Sequence, residues 1–143
     1  MPEKRKENLL RKVEDIDLLI IEREVKQMEF FSNDRPVVYI CSPFSRDKVA
    51  GCENAKRYSR HAVDAGAIPF APHLLLPMYM KEDSERGQAL YMDMVFLRRC
   101  DELWVFGHDI TSGMQAEIDQ AMKLGMKIRY FTENYKEEAR HAI

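Results

Sequence analysis

No stretch of this chain is apolar for long enough to cross a bilayer, since a spanning helix needs about 20 consecutive apolar residues. Cysteine is scarce: Cys41, Cys52 and Cys100 make an odd set of three with no C-x-x-C pair. That argues against a disulfide framework or a zinc knuckle and points to a reducing compartment. An excess of charge is missing too. The formal net charge of -2 at pH 7 gives no global reason to expect nucleic acid or an anionic membrane as partner. His61, His73, His108 and His141 show no metal-ligand spacing with one another or with a cysteine, so no metal site is expected. Neither a dinucleotide fingerprint nor a P-loop is present, because the glycines and the Gly-Lys-Ser/Thr ending are lacking. No Ser or Cys sits in a nucleophile elbow, which excludes the common serine and cysteine hydrolases. The charged start, Met-Pro-Glu-Lys-Arg-Lys, has no hydrophobic signal core, and the expected location is the cytoplasm.

What is present, 143 residues that are 45% hydrophobic and 32% charged, suits one soluble domain at 36–143 preceded by a helix. Residues 3 to 31 lack Gly and Pro and carry Leu9, Val13, Ile16 and Ile20 at helical spacing, with Leu10 and Leu19 alongside. This amphipathic helix, within residues 1–35, reads equally as an oligomerisation arm or as a cover on its own domain. Pro36 ends it.

From 36 to 143 strand and helix patterns alternate. Strands are expected at Val37 to Cys41, Ala67 to Pro72, Glu102 to Gly107 and Met126 to Phe131. Helices are expected at Val49 to Ala65, Ser84 to Cys100 and Ser112 to Leu124, and the tail from Glu133 is helical in composition. Such alternation implies an α/β three-layer sandwich, flavodoxin-like or Rossmann-like, with a four- to five-stranded parallel sheet. An order of 2-1-3-4 sets the ends of strands one and three side by side, at the edge where ligands bind.

Two carboxylates stand where apolar residues belong. At about 100° per residue, Glu117 falls inside the arc of Met114, Ile118, Ala121 and Leu124. Asp93 falls likewise among Ala89, Leu90, Phe96, Leu97 and Cys100. Either alone reads as a satisfied core carboxyl. Two of them, on helices flanking one strand, suggest a shared pocket, and a pair of carboxyls in a partly dry cleft equips a protein to split a glycosidic bond. Asp101, at the start of a strand, reads as structural. Ser112 and Gln115 form a capping-box pattern, and Gly113 permits close backbone approach.

The loop Ser42-Pro43-Phe44-Ser45-Arg46 follows the first strand. Its Ser and Arg suit a phosphate or sugar, and Phe44 suits a base. Lys48, Lys56, Arg57 and Arg60 make the neighbourhood basic, although a solvated helix face explains the last three equally well. His73 follows the second strand, at the ligand edge, as a pocket residue or a packing one.

Three strings together resemble the nucleoside 2-deoxyribosyltransferase superfamily: Tyr39-Ile40-Cys41-Ser42-Pro43-Phe44, the helix end from Asp93 to Asp101, and Ser112-Gly113-Met114-Gln115-Ala116-Glu117-Ile118. The superfamily includes deoxynucleoside 5'-monophosphate N-glycosidases, and the likeness is nearest to its small, mostly uncharacterised bacterial and phage domains. It spans residues 36 to 131. The resemblance implies a cofactor-free enzyme, a homodimer or larger homo-oligomer, acting on a small-molecule nucleoside or nucleotide and not on a nucleic acid polymer or a membrane. It implies Glu117 as nucleophile, Asp93 as the acid at the leaving base and Tyr39 beside the nucleophile. It implies substrate contacts from Pro43, Phe44 and Arg46 and from Thr111, Ser112 and Gly113, and Ser42, His73 and Met114, placed beside them by position, complete the candidate substrate-binding residues. Ser42 replaces the glycine usual in the transferases. A nucleotide-sensing module with little turnover, and an assembly protein acting through residues 1–35, are the competing readings.

Overall fold

A computed structural model describes residues 2–31, 35–44, 47–81 and 83–140, with the backbone alone at 28–31. The chain divides into two units, Met1–Arg35 and Pro36–Ile143. The first is α1, Glu3–Phe31, a single uninterrupted helix matching the span read from the sequence. Its large apolar residues, from Leu9 to Val25, are exposed. Among the described residues no helix is long and apolar enough to cross a membrane.

The second unit runs β1 Val37–Cys41, α2 Lys48–Asp64, β2 Ile68–Phe70, α3 Pro72–Leu75, α4 Arg86–Arg98, β3 Glu102–Phe106, α5 Ser112–Lys123, β4 Lys127–Phe131 and β5 Glu137–Glu138. A 3-10 turn, Leu76–Met78, extends α3. The sheet order is β2-β1-β3-β4-β5. β1 pairs in parallel with both β2 and β3, so the chain reverses direction across the sheet between β1 and β3. At such a switch point the loops diverge and leave a crevice.

Strand periodicity builds the two cores. Successive side chains alternate faces, so Val38 and Ile40 of β1 join Trp104 and Phe106 of β3 under Tyr58 and Ala62 of α2. Tyr39 and Cys41 join Leu103 and Val105 on the opposite face, under Leu97 of α4 and Met114, Ile118 and Ala121 of α5. Both faces are covered, as a parallel sheet requires.

Local chemistry sets the element ends. The Asp47 carboxylate accepts the Ala50 N–H at 3.1 Å and starts α2. Gly66 and Gly125, at φ +84° and +65°, end α2 and α5. After each, the chain closes a Schellman bond, Ala67 N–H to Ala62 O and Met126 N–H to Ala121 O, both 2.9 Å. Asp101 is structural, as expected: its carboxylate accepts the Val37 N–H at 2.8 Å and ties β1 to the start of β3.

Two expectations need correction. Residues from Glu133 do not form a helix. A turn with Tyr135 at φ +68° sends the chain back, and β5 pairs antiparallel with β4, so the sheet is mixed rather than wholly parallel. Partners across the sheet outweigh helical propensity there: the Arg129 guanidinium holds Glu137 (Nε to Oε1 3.0 Å), and Arg140 donates to Gly107 O at 2.8 Å. α5 starts at Ser112 as expected, but its cap differs. Thr111 is the cap, its hydroxyl accepting the Met114 N–H at 3.2 Å, and Ser112 is the first helical residue.

Gly51 of α2 lies against the loop after β1. A Cβ there would meet Phe44 Cδ2 at 2.9 Å, Phe44 Cα at 3.2 Å and Pro43 O at 3.3 Å, and two of those atoms are backbone. Gly51→Ala therefore moves the Phe44 loop and costs about 1–3 kcal/mol. Thermal unfolding of the variant checks this; an unchanged Tm refutes it.

Candidate active site

The crevice between β1 and β3 holds the pocket. Ser42 and Phe44 enter it from the loop after β1, and Pro72, His73, Leu76, Pro77, Met80 and Lys81 from the segment after β2. Arg86, Ala89, Leu90 and Asp93 come from one face of α4, and Thr111 to Met114 and Glu117 from α5. Of the residues expected at a site, Ser42, Phe44, His73, Asp93, Thr111, Ser112, Gly113, Met114 and Glu117 are thus brought together. Pro43 lines a neighbouring polar recess that shares Phe44, Thr111 and Ser112 with the pocket. Tyr39 is wholly buried in the sheet core, and Arg46 lies outside the described residues.

Glu117 is 4% exposed and Asp93 7%. The helical arcs put them inward, and no cation is among the groups that shift either carboxyl. Burial pushes the Glu117 carboxyl up to about 8, the negative charge of Asp93 adds to the rise, and the Cys41 thiol and Tyr39 hydroxyl oppose it. Burial alone pushes Asp93 up to about 6. Tyr39 is raised well above its ordinary value by burial first and then by Glu117 and Asp93, so it stays a neutral hydroxyl. Between the two carboxyl values the pair holds one proton, and that proton belongs to the pair.

Hydrogen bonding isolates the same place. Among the described residues, four buried side-chain oxygens have no hydrogen-bond partner: Tyr39 Oη, Ser42 Oγ, Asp93 Oδ1 and Glu117 Oε2. Each such group costs about 1–3 kcal/mol, and native folds leave few of them. Ser42, Asp93 and Glu117 line the pocket, and Tyr39, buried in the sheet core, lies near enough to Glu117 and Asp93 for their charges to act on it.

The walls suit a flat ring. Phe44 and His73 stack with centroids 4.7 Å apart and planes 7° from parallel. Burial lowers His73 toward its neutral form, against a hydrogen bond to the Ser42 backbone. A Cβ on Gly113 would meet nothing nearer than Thr111 Oγ1 at 3.9 Å, so packing does not demand a glycine there.

Sequence reasoning missed Arg86, Lys81 and the apolar lining from Pro72 to Met80. Arg86 had a signal: Arg86, Ala89, Leu90 and Asp93 recur at helical spacing, so choosing Asp93 also selects Arg86. The segment after β2 has no period to read.

Residues 36–131 match a family model described as Domain of unknown function (DUF7768). A comparison with curated proteins gives no match. Among solved structures, a 2-deoxyribosyltransferase from the psychrotolerant bacterium Bacillus psychrosaccharolyticus aligns at TM-score 0.58 and 17% identity, covering 73% of this chain and 77% of that one. A 2-deoxyribosyltransferase from Leishmania mexicana aligns at TM-score 0.50 and 17% identity, covering 68% of this chain and 64% of that one. At this identity the likeness is one of fold.

The raised carboxyl makes stability depend on pH. Below about 4.5, the ordinary value for Glu117, its side chain is protonated folded or unfolded and its charge costs nothing. Above that the folded state bears a growing penalty, complete once pH passes about 8. Glu117→Gln removes the charge, so its Tm advantage over the parent chain grows from pH 5 to pH 9 by at least about 3 °C. Thermal unfolding across that range checks the sign, and a constant or shrinking difference refutes it.

Proposed function

The chain belongs to the family of Domain of unknown function DUF7768, and we propose that it cleaves or transfers the N-glycosidic bond of a (deoxy)nucleoside or its 5'-monophosphate. Glu117 attacks C1' as a carboxylate. The C1'–N bond breaks, the base departs with its electron pair, and Asp93 delivers or directs the proton it takes up. Water or a second base then displaces Glu117 from the glycosyl-enzyme, with net retention. Tyr39 lies beneath the nucleophile as a neutral donor. Ser42 and the start of α5, from Thr111 to Met114, face the sugar or its phosphate, and Arg46 belongs to the same loop as Ser42. Phe44 and His73 face the ring.

The observation that supports this reading best is that three of the four unpaired oxygens, on Ser42, Asp93 and Glu117, belong to residues lining one pocket. They set two carboxyls and a hydroxyl around a cleft that Phe44 and His73 also line. A sugar hydroxyl and a leaving base supply what those atoms lack. The fold likeness to the two 2-deoxyribosyltransferases is consistent with it.

The protonation pattern favours a second reading. With Glu117 at about 8 and Asp93 at about 6, the proton at pH 7 rests mainly on Glu117, which suits a hydrogen-bond donor to a bound ligand better than a nucleophile. A nucleotide-sensing module would use the pocket that way.

One experiment separates the readings: a mass-spectrometric screen of nucleosides and 5'-monophosphates, with and without an acceptor base, for the parent chain and Glu117→Ala. Base release that Glu117→Ala loses by at least about 100-fold supports the enzyme. Thermal stabilisation by a ligand with no release supports the sensor. For the enzyme, kcat/KM follows a bell with limbs near pH 6 and 8, because only the singly protonated pair reacts. Asp93→Asn leaves a single ascending limb, and a descending limb surviving in that variant would count against Asp93 as the acid.

A further inference from the structure

We propose that Lys81 and Arg86 read the leaving base, and that they select bases presenting ring carbonyl oxygens over bases presenting amino groups at the same edge. The inference rests on the glycosidic reading and goes beyond it by naming the base class.

The placement follows from α4. Arg86, Ala89, Leu90 and Asp93 all line the pocket from one face of that helix. Seven residues at 1.5 Å each put Arg86 about 10 Å along the axis from Asp93, and a guanidinium on its long stem spans much of that distance. If Asp93 meets the base at its glycosidic end, Arg86 meets the far edge of the same ring. Between them the lining is Leu76, Pro77, Met80, Ala89 and Leu90, an apolar slot that grips a ring without reading it. Lys81 lines the pocket from the segment before α4, which brings a second cation to it.

Donor and acceptor chemistry then decides the preference. Lysine and arginine carry only donors. The carboxyls lining the pocket, among the described residues, are Asp93 and Glu117. Asp83 and Glu85 lie between the two cations in sequence but do not line the pocket, and Glu85 Oε1 is taken by the Lys81 backbone N–H at 2.8 Å. A ring carbonyl oxygen accepts from either cation, in hypoxanthine with O6 and N7 together taking arginine in bidentate fashion and in uracil with O4 alone, whereas an amino group would face like-signed donors. The cations also act on the reaction itself. As the C1'–N bond breaks, the electron pair moves into the base and delocalises onto its carbonyl oxygen. Two positive charges there stabilise the departing anion until a proton from Asp93 or water reaches the ring nitrogen.

The test uses matched pairs: deoxyinosine with deoxyadenosine and deoxyuridine with deoxycytidine, each also as its 5'-monophosphate. With the full chain, kcat/KM for the oxo member exceeds that for the amino member by at least about tenfold. In Arg86→Met with Lys81→Met, which keep the stems and remove the charges, that ratio falls to within about threefold of one, and Arg86→Lys with Lys81 intact restores part of it. Dissociation constants for the same pairs, measured by calorimetry on Glu117→Gln, give a second readout that needs no turnover. Binding preference without base release in the parent chain upholds the base-reading cations and overturns the glycosidic reading alone. Equal rates and equal affinities for both members overturn the proposal, as does a preference the double variant leaves intact. A double variant that weakens only the 5'-monophosphates, whatever the base, also overturns it, because the cations then hold phosphate.

Discussion

The fold is organised around an uncompensated cost: two carboxyls carried into the protein with no cation to meet them. Burial raises Glu117 to about 8 and Asp93 to about 6, and the negative charge of Asp93 adds to the rise at Glu117. A chain selected for stability alone would place leucine or alanine on these arcs. Residues of that kind fill the neighbouring positions, Met114, Ile118 and Ala121 on α5 and Leu97 on α4. The departure from that pattern is local, and it coincides with the crevice between β1 and β3.

The surrounding structure is tied so that the crevice does not collapse on its polar floor. At the opposite end of the strands, the Asp101 carboxylate takes the Val37 N–H and pins β1 to the chain entering β3. On the far side, Arg140 bonds Gly107 O and Phe131 O and clamps the ends of β3 and β4. Beneath the sheet the second core is dense in rings: Tyr58 stacks on Phe106 at 4.3 Å, and Phe106 on Phe131 at 4.9 Å. A closely packed layer of that kind transmits strain and resists local rearrangement. The orphaned oxygens are therefore held in place, where a softer core would let them turn and satisfy one another.

Much of this was legible in the sequence because it depends on period. Strand and helix alternation predicted the layers and the adjacency of β1 and β3, and a helical wheel put Glu117 and Asp93 inside. Period says nothing about residues that act through contact in three dimensions. Tyr39 and Cys41 modulate Glu117 because alternate β1 side chains point to the α5 face, which needs the sheet order to be seen. The tail from Glu133 has helix-forming composition and yet pairs as a strand, since Arg129 and Arg140 find their partners only in the assembled sheet. Thr111 and Ser112 are adjacent and both suited to cap, so the pattern placed the cap of α5 one residue late while giving its start correctly. The pocket side after β2 is a short helix and a 3-10 turn with no repeat for a pattern to reveal.

On the proposed glycosidic reading, the site combines two demands that oppose each other. A nucleophile must be ionised, and ionisation is what burial penalises; an acid must be protonated, and Asp93 loses its proton before Glu117 does. A ligand can reverse that order. Groups that donate to Glu117, such as a sugar hydroxyl, favour its charge, while a basic ring nitrogen beside Asp93 gives a proton there an acceptor to move toward. The reactive arrangement then exists only when a substrate supplies both contacts. That is economical for a pocket that must not attack indiscriminately: the stacked Phe44 and His73 rings and the apolar slot select shape, and the proton order adds a chemical condition. The same logic explains why the four unpaired oxygens persist, since each one satisfied by the protein would be one fewer reason for the ligand to set the charges.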